Sequence, residues 1–240
     1  KELLVERGRM AGQANGSVAL TYGGTTVLAT AVMPKKPRVG GDFFPLQVDY
    51  REKVTAAGKF PGGFIKREGR PTTKEILTAR LCDRPLRPLF PDGFFPELQV
   101  LLTVFSADTE NDPDIVAMNA ASASLHVSDI PFAGPVGSVR VGRVAGQFIV
   151  NPGYEETRSG DLDLVISGTK DGIIMVEAGA KELTEEQMLA AFEFAQPHIN
   201  ALIDAQNKLR ELVGRAKGDF PVHPFPEEVY KKIKARFRPE

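Results

Sequence analysis

The sequence predicts an α+β fold, with helices laid over sheets built from hairpins, and three observations lead there. Runs rich in β-branched residues outnumber helical patterns. Most come in pairs across short turns that contain glycine, as antiparallel hairpins do. Only two helical patterns fall between strands, too few for a doubly wound parallel sheet.

In chain order, residues 17–22 and 25–33 are strands divided by Gly23-Gly24, a two-residue hairpin turn. Residues 34–41 form a basic loop rich in Pro and Gly, and 44–50 alternate as a further strand. Thr72 and Glu75, with Pro71 ahead of them, have capping-box spacing and open a helix that Pro85 must end. Residues 98–105 read as a strand, and 114–127 as a helix of small residues able to pack closely on a sheet. A second hairpin covers 136–150, turning near Ala145-Gly146. A third has strands at 162–167 and 173–177 around Gly168-Thr169-Lys170-Asp171-Gly172. Thr184 and Gln187 repeat the capping box, and Met188, Phe192, Ala195, Ile199 and Leu202 give that helix an apolar stripe. Pro197 should kink or restart it. Residues 219–226 form a linker, and 227–237 a short basic amphipathic helix.

The 240 residues suffice for one substantial core, and 42% hydrophobic with 25% charged content is ordinary for a globular chain. The single cysteine, Cys82, excludes an internal disulfide and fits a reducing, cytoplasmic setting. His126, His198 and His223 lack zinc-ligand spacing. No apolar run approaches the ~20 residues of a membrane helix. The chain begins at Lys1 without methionine and stops inside a basic helical pattern, so it is expected to be a fragment of something longer.

Charge is unevenly spread. Between Arg51 and Phe90 ten Lys/Arg stand against four Asp/Glu, a surplus of six, so a net charge of −1 leaves −7 on the remainder. At the centre of that stretch lies Gly62-Gly63-Phe64-Ile65-Lys66-Arg67-Glu68-Gly69-Arg70-Pro71. It is either a solvated charged loop or a loop that meets single-stranded RNA, cations to phosphates and the Phe64 ring to a base. Gly58-Lys59 does not complete a phosphate-binding NTPase loop, and no G-x-G-x-x-G is present. Arg80, Arg84 and Arg87 follow along one face of the helix, where they extend an anion groove or complement the helix dipole. Asp161-Leu162-Asp163 places two carboxylates on one strand face by alternation, which a divalent cation could use and which a structural role explains more simply. Asn111-Asp112-Pro113-Asp114 stands at a helix start, where anions can bind. Its aspartates would repel phosphate and read instead as turn and N-cap residues.

The run FPGGFIKREGRPTTKEILTARLCDRPLRPLFPDGF and the later NDPDIVAMNAASASL resemble the first RNase PH-like core of the polynucleotide phosphorylase family. YGGTTVLATAV, GGDFFPLQVDYREK, IPFAGPVGSVRVG and DLDLVISGTKDGIIMVEAGAKELTEEQML agree in the same order, across roughly residues 4–212. The resemblance implies an RNase PH-like, ribosomal protein S5 domain 2-like sheet with helices packed on it over 1–213. Residues 214–240 would begin the family's all-helical connecting domain. It further implies a homotrimeric ring whose channel takes single-stranded RNA 3′ end first, in a cytoplasmic RNA-degradation setting with no membrane partner. The loop at Phe64, Ile65, Lys66 and Arg67, with Arg70, would narrow the channel. Here Ile65 and Lys66 stand where the family commonly has a second aromatic and an arginine.

Phosphorolysis in that family needs inorganic phosphate, Mg2+ or Mn2+, and aspartates six residues apart, all supplied by a second core. In this chain Asp163 holds the later position and Thr157 the earlier, and the serine-rich phosphate turn is replaced by Asn111-Asp112-Pro113-Asp114. The resemblance therefore implies a degenerate site, with no cofactor and no catalytic residue in this stretch. The expected RNA-binding residues are Phe64, Lys66, Arg67, Arg70, Arg80, Arg84 and Arg87. The rival expectations are a self-sufficient RNase PH-type exoribonuclease, a non-catalytic RNA-binding subunit of an exosome-like ring, and a guanosine nucleotide site in the degenerate pocket.

Overall fold

One helix, buried along its whole length, joins two sheets. The computed structural model describes residues 2–34, 43–64, 66–220, 222 and 226–238. Most of the expected basic loop at 34–41, Ile65, and residues 221 and 223–225 of the expected linker lie outside these.

The first sheet contains β1 (Leu3–Glu6), β2 (Gly16–Tyr22), β3 (Thr25–Val32), β4 (Leu46–Glu52) and β5 (Leu98–Ser106), in the order β1-β2-β3-β5-β4. β2 and β3 pair as predicted, Tyr22 opposite Thr25, with Gly23 at a positive φ of 61° that the tight turn requires. β4 runs parallel to β5, joined by a crossover that contains α1 (Thr73–Leu86), so one strand–helix–strand unit sits among the hairpins. The second sheet is antiparallel throughout: β6 (Gly137–Val144), β7 (Gln147–Val150), β8 (Leu162–Gly168) and β9 (Ile173–Ala180), in the order β7-β6-β8-β9.

Between them runs α2 (Pro113–Val127), all of whose residues are buried. Its alanines and serines permit very close approach. A Cβ added at Gly16 of β2 would lie 1.9 Å from the Ser124 carbonyl oxygen. On its other side α2 meets β6 and α4 (Glu185–Val213). Asn119 binds both the amide and the carbonyl of Ser138, at 3.0 and 2.8 Å, and Ser122 accepts from the Val136 amide at 2.8 Å. These bonds satisfy polar groups that apolar packing would leave stranded.

Both capping boxes form as predicted, at Thr72/Glu75 and Thr184/Gln187. Neither proline cuts its helix at the residue itself. Pro85 lies inside α1, which continues to Leu86 and a 3₁₀ turn at Arg87–Leu89. In the last turn a proline forfeits one hydrogen bond, so it does not stop the helix at once. α4 is not restarted at Pro197. Its buried face of Ala191, Ala195, Ile199 and Ile203 holds it against the second sheet on either side of the proline. β1 and the short α3 (Tyr154–Ser159) have no sequence signal.

After α4 the chain turns back. The Arg215 amide donates to Val127 O at 3.0 Å, the Gly218 amide to Asp129 O at 2.7 Å, and Lys217 Nζ to the carbonyls of Leu125, His126 and Ser128. Lys217 thus caps the C-terminal end of α2, and Phe220 packs edge-on against Phe94 in the first core. α5 (Glu227–Phe237) buries no residue.

Candidate functional site

The cationic loop is pinned at its two ends and open between them. At one end a 3₁₀ turn at Val54–Ala57 is tied to the first sheet by the Ala107 amide donating to Ala56 O at 3.2 Å. Gly58 closes that turn at φ 67°. At the other end Glu68 reaches back: one oxygen accepts from the Val54 amide at 3.0 Å and the other from Lys53 Nζ at 2.8 Å. Lys53 holds the Glu68 carboxyl below its ordinary range, helped by the Val54 amide and against slight desolvation. Arg51 donates to the Gly69 carbonyl at 3.1 Å, and Glu75 ties the amides of Glu52 and Thr72 together.

Between these anchors the loop stands clear of the body. A Cβ added at Gly58, Gly62, Gly63 or Gly69 would meet nothing within 4 Å. Phe64 is fully exposed and Phe60 is 90% exposed. Lys66, Arg67 and Arg70 are exposed and, among the described residues, form no ion pair. Arg80 on α1 is exposed and unpaired in the same way. The two arginines after it are committed elsewhere. Arg84 pairs with Glu177 of β9 at 2.7 Å. Arg87 clasps Asp83 with two bonds of 3.0 and 2.7 Å, donates to the carbonyls of Phe44 and Leu46, and lies over the Phe44 ring. The expected arginine stripe is thus one unpaired cation followed by two that lock α1 to its neighbours.

A cleft of about 680 Å³ opens between α1, α3 and the β8–β9 hairpin, and Thr157 and Asp163 both line it. Its centre is Arg140 on β6, a residue without a sequence signal. Its Nη1 lies 3.2 Å from Asp112, its Nη2 2.7 Å from Asp114 and its Nε 3.2 Å from Asp163. Lys74 bridges Glu52 and Asp112 at 3.0 and 3.3 Å. Burial pushes the Asp114 carboxyl upward, with Arg140 opposing and Asp112 adding to it. Burial works against the Lys74 charge, yet Asp112 and Glu52 hold it above its ordinary value. Asp112 caps α2 and accepts from the Asp114 amide, and Asp114 accepts from the Ile115 amide. The two aspartates therefore occupy the amides that an anion at this helix start would use.

Asp161 and Asp163 serve different arginines. Asp161, just ahead of β8, pairs with Arg143 at 3.2 Å, while Asp163 faces Arg140. Thr157 donates to the Gly153 carbonyl within its own helix at 3.0 Å. A divalent cation does not fit this donor set: the carboxylates surround a guanidinium, and a metal would have to displace Arg140.

Residues 1–131 match the model for domain 1 of the 3′ exoribonuclease family, and residues 134–197 match domain 2. The polyribonucleotide nucleotidyltransferase of Acidobacterium capsulatum is 53% identical over 234 residues, 98% of this chain and 29% of that protein. That of Rhodospirillum centenum is 52% identical over 231 residues, 96% and 33% respectively. That of Aquifex aeolicus is 48% identical over 238 residues, 99% and 31%. The chain thus spans about a third of the length of these relatives. Rice (Oryza sativa) Rrp46 superposes with a TM-score of 0.71 over 88% of this chain and 95% of its own, at 18% identity, a likeness of fold.

Proposed function

Since this chain belongs to the 3′ exoribonuclease family, we propose that it is the first RNase PH-like core of a polynucleotide phosphorylase and that it guides single-stranded RNA without cleaving it. Residues 1–213 form that core, and 214–240 begin the connecting helical domain. The parent protein is a cytoplasmic homotrimer that shortens RNA from its 3′ end and releases nucleoside diphosphates. In its second core inorganic phosphate attacks the terminal phosphodiester, and Mg2+ or Mn2+ neutralises charge on the transferring phosphorus.

The observation that supports the guiding role is where charge is paired and where it is not. Arg140 and Lys74 in the cleft are paired with carboxylates, whereas Lys66, Arg67, Arg70 and Arg80 face solvent without an ion pair among the described residues. The first arrangement leaves no seat for phosphate or metal. The second suits a polyanion that must slide. Phe64 offers a face to any base, while each cation meets a phosphate without fixing sequence. Arg84 and Arg87, already paired, lend field behind these groups.

Replacing Arg67 and Arg70 together by alanine should weaken binding of a 20-nucleotide oligoadenylate and of an oligouridylate alike. The slope of log affinity against log salt should fall by roughly 0.7 for each phosphate that is no longer neutralised. Equal affinity and equal slope in a salt titration would sink the assignment.

A further inference from the structure

We infer that Phe60 is a second RNA-stacking residue of the loop, acting with Phe64 on neighbouring bases of the same strand. The inference rests on the reading of the loop as an RNA guide. Both rings lie almost wholly in water, on a loop whose surroundings are open at four glycines. Pro61 restricts the backbone of Phe60 to extended conformations, and the ring stands 90% exposed. The Lys59 amide donates to Val54 O at 3.1 Å, which ties the backbone next to Phe60 to the pinned end of the loop. The two rings are four positions apart, at most roughly 14 Å of chain, so both reach one short stretch of a flexible strand.

Charge decides the class of partner. Lys59, Lys66 and Arg67 flank the rings, and a protein surface that covered them would have to supply matching carboxylates. A single-stranded nucleic acid supplies a phosphate beside every base, so ring and cation are satisfied by the same ligand. The loop thus carries two stacking faces even though Ile65 is not aromatic.

The test uses the 240-residue chain and a 20-nucleotide oligoadenylate, with affinities measured across a salt series. Phe60→Ala should weaken binding roughly five- to a hundredfold with the salt slope unchanged, as loss of one stacked base predicts. Phe60→Tyr should bind like the parent, and Phe60→Leu, apolar but without a π-face, like the alanine variant. Thermal unfolding should not move, since the ring buries little against the protein. If Arg67→Ala/Arg70→Ala weakens binding and Phe60→Ala does not, the inference is overturned while the loop reading stands. If neither variant changes binding, or the parent chain binds no RNA, the loop reading itself is wrong. Unchanged RNA affinity with a shift in sedimentation would make Phe60 a contact between chains and would equally overturn the inference.

Discussion

Arg140 holds three carboxylates within 3.2 Å, and no stretch of sequence announces it. Asp112 and Asp114 come from the entry to α2, Arg140 from β6 and Asp163 from β8, so only long-range pairing assembles them. The same limit hides Phe60: sequence composition assigns a phenylalanine to the core by default, and exposure is not a local property. Phe64 is legible because glycines and cations adjoin it in the chain. Replacing Arg140 by methionine keeps the stem but leaves buried Asp114 unpaired, and should cost about 3–5 kcal/mol in urea unfolding at pH 7. A carboxyl whose folded pKa is raised binds protons more tightly when folded, so lowering the pH must favour the folded variant. The gap from the parent should therefore narrow between pH 7 and pH 5. A gap of constant size would mean that the missing charge is not what destabilises it.

Among the elements, α2 is legible as a small-residue helix, because closeness to a sheet demands Ala, Ser and Gly where the backbones meet. Pro197 does not restart α4, because a helix tolerates the absence of one hydrogen bond where a buried stripe continues past it. The C-terminal end of α2 has a pH dependence of its own. Burial, and then Arg210, pull the His126 pKa down to about 4, while its hydrogen bond to Asn207 opposes them and Lys217 adds to them. The unfolded imidazole titrates near about 6.5. A lowered folded pKa means that the unfolded chain binds the proton first, so stability is complete above about 6.5 and is lost as pH falls toward 4. The loss is at most about 1.4 kcal/mol per pH unit. His126→Gln should flatten this part of the profile, read as the difference between parent and variant urea midpoints at pH 7 and pH 5. Parallel profiles would remove His126 from the account.

For the whole molecule, the class is visible in the spacing of hairpins, whereas the division into two sheets is not, since β3–β5 and β6–β8 pair strands distant in the chain. Nor is the parallel β4–β5 pairing, since a strand, a helix and a strand in sequence do not state which edge the second strand joins. The polarised charge is also visible, as a surplus of six cations in the stretch that includes the loop. What becomes of each charge is not, because pairing depends on the three-dimensional neighbours. With the cations of its cleft paired to its own carboxylates, the 240-residue chain should release no nucleoside diphosphate from RNA in the presence of phosphate and Mg2+. Chromatography of the products checks this, and phosphate-dependent release would restore the self-sufficient reading.

The three carbonyls gathered by Lys217 have a mechanical consequence. A chain leaving a long helix could swing through a wide cone. Here it is moored at once to the C-terminal end of α2, so residues 215–220 follow the core. A load pulling on residues 215–220 is delivered straight to the helix on which both sheets rest.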